Sequence, residues 1–255
     1  MAFKKRLIGS IFVRDGIAVQ SFSFQRYLPL GNPVILAENL DRWGVDEIVV
    51  LSIDNTKKEI SPSLDLLNEI SRRVNTPITY GGGIKNLKHA LDVIHSGADR
   101  IIVDQLYYSD ISQIKLISES IGSQAVIISL PCSLNEGQFS HYNYITKTSQ
   151  RMDPKSFPLI EQYIASEFLI MDHLNDGQMN GFSERLVDYF PLDISLLCFG
   201  GITESDQVNR LLSKPNVAGV CIGNSLNYKE HYYHKIKLEL SHSLLRNATF
   251  ESEKN

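Results

Sequence analysis

Gly81-Gly82-Gly83-Ile84 and, far along the chain, Phe199-Gly200-Gly201-Ile202 are two copies of one turn. Each follows a short β-type run, Pro77-Ile78-Thr79-Tyr80 in the first case and Ile194-Ser195-Leu196-Leu197 in the second, and each precedes a helix-type segment. A shift of 119 residues carries Gly82 to Gly201. The same shift lays Asp99-Arg100-Ile101-Ile102-Val103 on Ala218-Gly219-Val220-Cys221-Ile222 and Ile11-Phe12 on Leu130-Pro131. It also brings Ile48-Val49-Val50-Leu51 close to Glu167-Phe168-Leu169-Ile170. Coincident offsets of this kind imply a half that is duplicated once.

Outward from the glycines, eight short apolar runs alternate with longer amphipathic ones, beginning near Leu7, Glu47, Pro77, Arg100, Ala125, Phe168, Ile194 and Val217. They are rich in Ile, Val and Leu throughout, as strands buried on both faces of a parallel sheet are. Helix-type segments such as Ser63–Val74 and Leu87–Gly97 lie between them, with Pro33, Pro62 and Pro154 near helix starts, where a missing N–H costs little. The pattern predicts an α/β fold, a (β/α)8 TIM barrel built from two repeated half-barrels. A doubly wound open sheet is the competitor, and the duplication argues against it. A single domain is expected over residues 1–245, with a flexible polar tail over 246–255.

With 43% hydrophobic residues in 255 and a formal charge of −4, the chain has enough apolar material for a sizeable core. Basic residues are scattered and outnumbered, so nucleic acid is not an expected partner. No run approaches the roughly 18 apolar residues of a membrane span. Met1-Ala2-Phe3-Lys4-Lys5-Arg6 has charge but no long apolar stretch behind it, which excludes a secretory signal and makes the cytoplasm the default location. Cys132, Cys198 and Cys221 lack metal-type spacing, and Cys198 and Cys221 fall inside strand runs as core thiols; neither a metal nor a cofactor is expected.

In a barrel of this type the loops after the strands form the active face. Gly82, Gly83, Gly200 and Gly201 fall there, and Gly223-Asn224-Ser225 follows the eighth run. Successive backbone N–H groups leading into a helix N-terminus make an anion site, so two phosphate half-sites are expected to face each other across the barrel mouth. They would suit a ligand carrying a phosphate at each end.

Arg6-Leu7-Ile8, Asp15-Gly16, Gly31-Asn32-Pro33, Gly44-Val45-Asp46-Glu47, Gly81-Gly82-Gly83-Ile84, Ser96-Gly97-Ala98-Asp99, Ile121-Gly122-Ser123-Gln124, Asp176-Gly177 with Asn180-Gly181, and Gly200-Gly201 occur in one order and spacing. In this they resemble the HisF family, the cyclase subunit of imidazole glycerol phosphate synthase, from about Arg6 to Leu226. HisA, a sugar-phosphate isomerase with the same half-barrel repeat, is a more distant likeness. The resemblance implies a barrel that receives ammonia from a separate glutaminase and combines it with a bisphosphorylated ribulosyl substrate at the strand C-terminal face.

The departures carry as much information. The resemblance implies acid–base aspartates at the ends of the first and fifth strands, and these positions are Phe12 and Pro131, neither of which can move a proton. Asp15 is the family's own Asp-Gly position and does not deputise, whereas Asp54, Asp172 and Asp176 are possible substitutes. The loop-one lysine falls at Gln20, and the Asn-Thr pair after the fourth strand falls at Asp104-Gln105, where a carboxylate would repel phosphate. A stretch including Tyr142-Asn143-Tyr144-Ile145 replaces the loop after the fifth strand. The C-terminal half-site is better kept, through Gly177, Gly200, Gly201 and Ser225.

At the other end of the barrel the resemblance implies an ammonia gate of four charges at Arg6, Glu47, Arg100 and Glu167, all of the family's sign. A solvated charge at a strand start is the plain alternative. Lost acids with a retained ring point to a HisF-like subunit that takes ammonia from a HisH-like glutaminase on the strand N-terminal face and passes it on. Such paralogues resemble the barrels that act with a sugar amidotransferase on surface polysaccharide or nucleotide-linked sugars. An active cyclase in histidine biosynthesis, a HisA-like isomerase, and a non-catalytic phosphate-ligand sensor or scaffold are the alternatives.

Overall fold

Ile, Val and Leu runs become strands here because both faces of each strand are covered, by helices outside and by the side chains of the closed sheet inside. The computed structural model describes residues 4–152, 164–227 and 232–239. In chain order the elements are β1 (Arg6–Arg14), β2 (Ile17–Phe22), β3 (Arg26–Gly31), α1 (Pro33–Arg42), β4 (Glu47–Ser52), α2 (Leu64–Ser71), β5 (Ile78–Gly81), α3 (Leu87–His95), β6 (Arg100–Val103), α4 (Gln105–Ser109) and α5 (Ile111–Ile121). There follow β7 (Val126–Asn135), β8 (Gln138–Asn143), β9 (Thr148–Arg151), β10 (Glu167–Asp172), β11 (Leu196–Phe199), α6 (Ser205–Ser213), β12 (Val217–Ile222) and α7 (Tyr232–Glu239).

Parallel ladders run β1–β4–β5–β6–β7–β10–β11–β12, and β12 pairs back onto β1 through Arg6 opposite Gly219 and Ile8 opposite Cys221. The sheet closes, so the (β/α)8 barrel forms and the open-sheet alternative falls away. Pro33 stands at the first position of α1, where the Asn32 side chain accepts from the Val34 N–H at 2.7 Å. Pro62 precedes α2 by two residues, and Pro154 and the expected tail lie outside the described residues. The unit after β10 departs from the regular plan, with a 3-10 segment, Glu184–Tyr189, in place of an α-helix.

Two hairpins were not legible in the sequence. β1 and β7 are the longest strands, nine and ten residues, and each overruns the barrel rim. The overrun of β1 pairs antiparallel with β2, which pairs with β3, and the overrun of β7 pairs with β8, which pairs with β9. Since β1 and β7 are the strands the repeat superposes, each half begins with a strand that carries a hairpin over the mouth.

The two-residue period of a strand divides the core into two shells. Leu7 and Ile11 of β1, Ile48 and Val50 of β4, Ile101 and Val103 of β6, and Phe168 and Ile170 of β10 face the helices. Ile8, Val49, Ile102, Ile127, Leu169, Leu197 and Cys221 fill the barrel interior, with Phe12, Met171 and Phe199 above them toward the mouth. All three cysteines are free and buried, Cys198 and Cys221 as expected and Cys132 besides.

The last described helix is latched to the barrel bottom by a buried ion pair. Lys237 Nζ lies 2.9 Å from Asp46 Oδ1 and donates to the Gly44 carbonyl at 2.7 Å, while Asp46 Oδ2 accepts from the Leu7 N–H at 2.8 Å. The two side chains are 4% and 2% exposed. Asp46→Ala strands a buried ammonium and a buried N–H together. It should therefore lower unfolding free energy by about 3–5 kcal/mol in urea titration, well beyond an ordinary surface substitution.

Candidate functional site: a charged ring below and two pockets above

The inward parity that carries Ile8, Val49, Ile102 and Leu169 also carries the residue two positions earlier in each strand: Arg6, Glu47, Arg100 and Glu167. The four side chains meet beneath the apolar interior. Arg6 Nη1 is 2.8 Å from Glu47 Oε2, Arg6 Nη2 pairs with Glu167 Oε1, Arg100 Nη1 is 2.7 Å from Glu167 Oε2, and its contact with Glu47 Oε1 is looser at 3.7 Å. The result is a closed ring of alternating charge. Its outer supports are neutral donors and acceptors: Thr79 Oγ1 donates to Glu47, and Arg100 donates to Ser166 Oγ at 2.7 Å and to the Gln124 carbonyl at 3.1 Å. Glu47 is 3% exposed, so breaking one pair leaves a desolvated carboxylate short of a partner.

At the opposite end a cavity of about 470 Å³ opens among the strand C-termini. Phe12 and Pro131 line it at the positions where the sequence comparison placed acids. Both hold the inward parity: Phe12 follows Ile8, and Pro131 follows Ile127 and sits opposite Met171. Phe12 is 4% exposed and packs edge-to-face on Phe199 at 5.1 Å and Phe24 at 6.4 Å. The two positions where the resemblance implies acids thus present hydrocarbon to the cavity.

The glycine turns show the duplication at the level of dihedral angles. Gly82 and Gly83 have φ of 114° and 75°, and Gly200 and Gly201 have 113° and 73°. Gly82 therefore corresponds to Gly200 and Gly83 to Gly201, a shift of 118 rather than the 119 that pairs Gly82 with Gly201. The correction arises because three consecutive glycines leave the register ambiguous in sequence, whereas the backbone angles do not. A Cβ on Gly82 would meet the Ser52 carbonyl oxygen at 2.2 Å, and one on Gly200 the Asp172 carbonyl oxygen at 2.5 Å. Glycine is thus required by the close approach of the neighbouring strand end, whatever the turn binds.

The two turns have diverged in what surrounds them. Gly177, Gly200, Gly201, Asn224 and Ser225 line a separate pocket of about 190 Å³, together with Thr203. The Ser225 hydroxyl is buried there without a hydrogen-bond partner among the described residues. The Asn224 side chain is engaged elsewhere: it clamps β2 by accepting from the Ser21 N–H at 3.2 Å and donating to the Ser21 carbonyl at 2.6 Å. Gly82 and Gly83 instead line the larger cavity, where the Gly83 N–H donates to Thr56 Oγ1 at 3.1 Å. Because Phe12 and Phe24 line one pocket and Phe199 the other, their edge-to-face stack forms part of the partition between them. The two glycine turns therefore line different pockets.

None of the substitute acids points into the larger cavity from a catalytic position. Asp172 has the outward parity of Ile170; its Oδ2 accepts from Asn175 at 2.8 Å and from the Ser183 N–H at 2.9 Å, which pins the following loop. Asp176 accepts from Ser21 Oγ at 2.5 Å and lines the smaller pocket, and burial pushes its carboxyl up to about 7. Asp54 lines the cavity but pairs with Lys58 at 2.8 Å, which also holds Asp15 in the exposed β1–β2 turn. Gln20 is buried in β2 and lines neither pocket.

The carboxyl that reaches this cavity along the inward parity of its strand is Asp104, two residues beyond Ile102. Gln105 donates to it at 3.3 Å, and burial pushes its carboxyl up to about 8. Tyr144 joins it from beyond β8, hydrogen-bonded to Thr56 and Gln105. The Tyr142–Ile145 stretch differs from the family pattern in residue type, and the β7–β8–β9 hairpin is what brings it over the mouth. Beside it Tyr142 stacks on His173 at 4.0 Å with 4° between the rings.

Residues 6–232 match the family described as histidine biosynthesis protein. A Vibrio vulnificus protein provisionally named imidazole glycerol phosphate synthase subunit hisF2 is 29% identical over 231 residues, 89% of this chain and 85% of its own length. Imidazole glycerol phosphate synthase subunit HisF of an Exiguobacterium species is 27% identical over 220 residues, 84% of this chain and 86% of its own. The HisF subunit of Staphylococcus saprophyticus is 28% identical over 244 residues, 92% and 95%. The chain belongs to the histidine biosynthesis protein family, as a diverged HisF-like member. Among the described residues there is no helix long and apolar enough to cross a membrane and no cluster of side chains suited to a metal ion.

Asp104 makes stability depend on pH in an unusual direction. Its carboxyl is raised from 3.8 to about 8 on folding, so between those values the folded chain holds a proton the unfolded chain has released. Its contribution is intact below pH 3.8 and is lost as pH rises toward 8. Asp104→Asn should flatten the fall in melting temperature between about pH 5 and pH 8; an unchanged slope would place the titration elsewhere.

Proposed function

We propose that this barrel is the ammonia-delivering subunit of a glutamine-dependent amidotransferase complex and not itself a cyclase. The observation that carries the reading is one of contrast: the charged ring at Arg6, Glu47, Arg100 and Glu167 is complete, while Phe12 and Pro131 stand where a cyclase needs proton carriers. A HisH-like glutaminase would dock on the strand N-terminal face and release ammonia beneath the ring. Opening requires one side chain to swing aside, and the looser Arg100–Glu47 contact is the weakest of the four. Above the ring lies the apolar shell of Ile8, Val49, Ile102 and Leu169. Neutral ammonia crosses such a medium far more cheaply than ammonium, so the interior selects the nucleophilic form.

In this reading the retained pocket at Gly200, Gly201 and Ser225 holds the phosphate of a small ligand, and the acceptor of the nitrogen is a sugar of the surface-polysaccharide or nucleotide-linked kind, activated by a separate amidotransferase. The location in the cytoplasm and the single domain over 1–245 belong to the same proposal. A second reading, an active cyclase, is favoured by the names of the relatives. It needs two proton carriers at the mouth, and the substitute acids Asp172 and Asp176 are engaged with Ser183 and Ser21.

Two outcomes separate these. Given ammonia and the bisphosphorylated ribulosyl substrate, the isolated chain should show no turnover approaching the roughly 1–10 per second of ordinary enzymes, followed by the change in substrate absorbance. Turnover in that range would establish the cyclase reading.

With the partner proteins present, Arg100→Ala removes the pairs to Glu167 and Glu47 and leaves two carboxylates facing each other across the ring. The ratio of amidated product to glutamate released should fall well below that of the wild-type chain, while circular dichroism shows the variant folded. An unchanged ratio, or no glutaminase bound by the wild-type chain, would leave the ring as ordinary barrel-bottom electrostatics and favour the sensor or scaffold.

A further inference from the structure

We propose that the larger mouth cavity binds a neutral polyhydroxyl group, such as a sugar ring, and that its glycine turn no longer serves as an anion cradle. The site differs from the pocket at Gly200 and Gly201 in three respects. First, the Gly83 N–H is already bonded to Thr56 Oγ1, so the backbone donor that an oxyanion would use is taken within the chain. Second, the side chains around it are rich in groups that both give and take hydrogen bonds: Thr56 and Tyr144 hydroxyls, the Gln105 amide, and the Asp104 carboxyl, which burial pushes up to about 8. An array of that kind complements hydroxyl groups, each of which also gives and takes a hydrogen bond, and offers a phosphate no full positive charge. Third, the remaining walls are largely apolar, and among them Phe12, Phe24 and Tyr27 present aromatic surface to the C–H faces of a ring.

Size agrees: about 470 Å³ lies within the roughly 300–1,000 Å³ of small-molecule sites. The charged groups at this cavity are peripheral or paired. Lys58 is held by Asp54 and Asp15, the Arg14 guanidinium lies 5.1 Å over the Tyr27 ring, and Lys57 and Lys147 are exposed at the rim. An anionic substituent of the ligand would meet these cations in solvent, outside the turn. The inference deepens the proposed delivery role, because the cavity stands at the far end of the barrel from the ring; its test needs no partner protein, so its failure and the failure of ammonia delivery are read separately.

The measurement is amide chemical shift in the isolated chain, titrated with inorganic phosphate and with a panel of neutral probes: methyl hexosides, methyl pentosides and glycerol. A neutral probe should move the resonances of Gly82, Gly83 and Gln105, and phosphate those of Gly200, Gly201 and Ser225. Asp104→Ala should weaken the neutral probe about tenfold and Tyr144→Phe severalfold, with the phosphate response unchanged. Phosphate shifts at Gly82 and Gly83 equal to those at Gly200 and Gly201 overturn the proposal. So does a panel that moves nothing at this cavity, or neutral-probe affinity indifferent to both substitutions.

Discussion

The alternation of side chains along a closed parallel barrel is the constraint from which the rest follows. Once β12 pairs back onto β1, every second residue of each strand is committed to the interior. Arg6, Ile8 and Phe12 then lie on one inward line, and Arg100, Ile102 and Asp104 on another. The ring, the apolar shell and the mouth are successive layers of that alternation. A one-residue slip in any of the four strands that carry Arg6, Glu47, Arg100 and Glu167 would turn its charge out of the ring and toward the helix layer.

The duplication is retained where backbone geometry is at stake and lost where chemistry is. Gly82 and Gly200 keep the same φ because a neighbouring strand end leaves no room for a Cβ. The side chains around the two turns differ: the first turn has Thr56 on its N–H and Asp104 nearby, whereas the second keeps a buried Ser225 hydroxyl without a hydrogen-bond partner among the described residues.

Phe12 and Pro131, at the positions where the resemblance implies acids, have a structural consequence as well as a chemical one. Two ionisable groups at the mouth would need solvent or partners, while Phe12 stacks on Phe199 and Phe24 and extends the apolar interior toward the cavity. The same stack partitions the mouth, so a ligand spanning both glycine turns would have to displace that aromatic contact.

Much of this was legible from residues alone. The alternation of Ile- and Val-rich runs with amphipathic segments required a parallel α/β fold, and the repeat selected a barrel, because both depend on local patterning that each segment carries by itself. The charges at Arg6, Glu47, Arg100 and Glu167, and the absence of acids at Phe12 and Pro131, were visible as residue types at strand ends. Tertiary structure decided what meets what. That the four charges close into a ring depends on strand register around the whole barrel. That Asp172 faces the loop and Asp104 the cavity depends on strand parity at the last residue, where sequence boundaries are least certain. The hairpin that delivers Tyr144, and the one-residue correction to the repeat, likewise rest on long-range pairing and backbone angles that no run of residues specifies on its own.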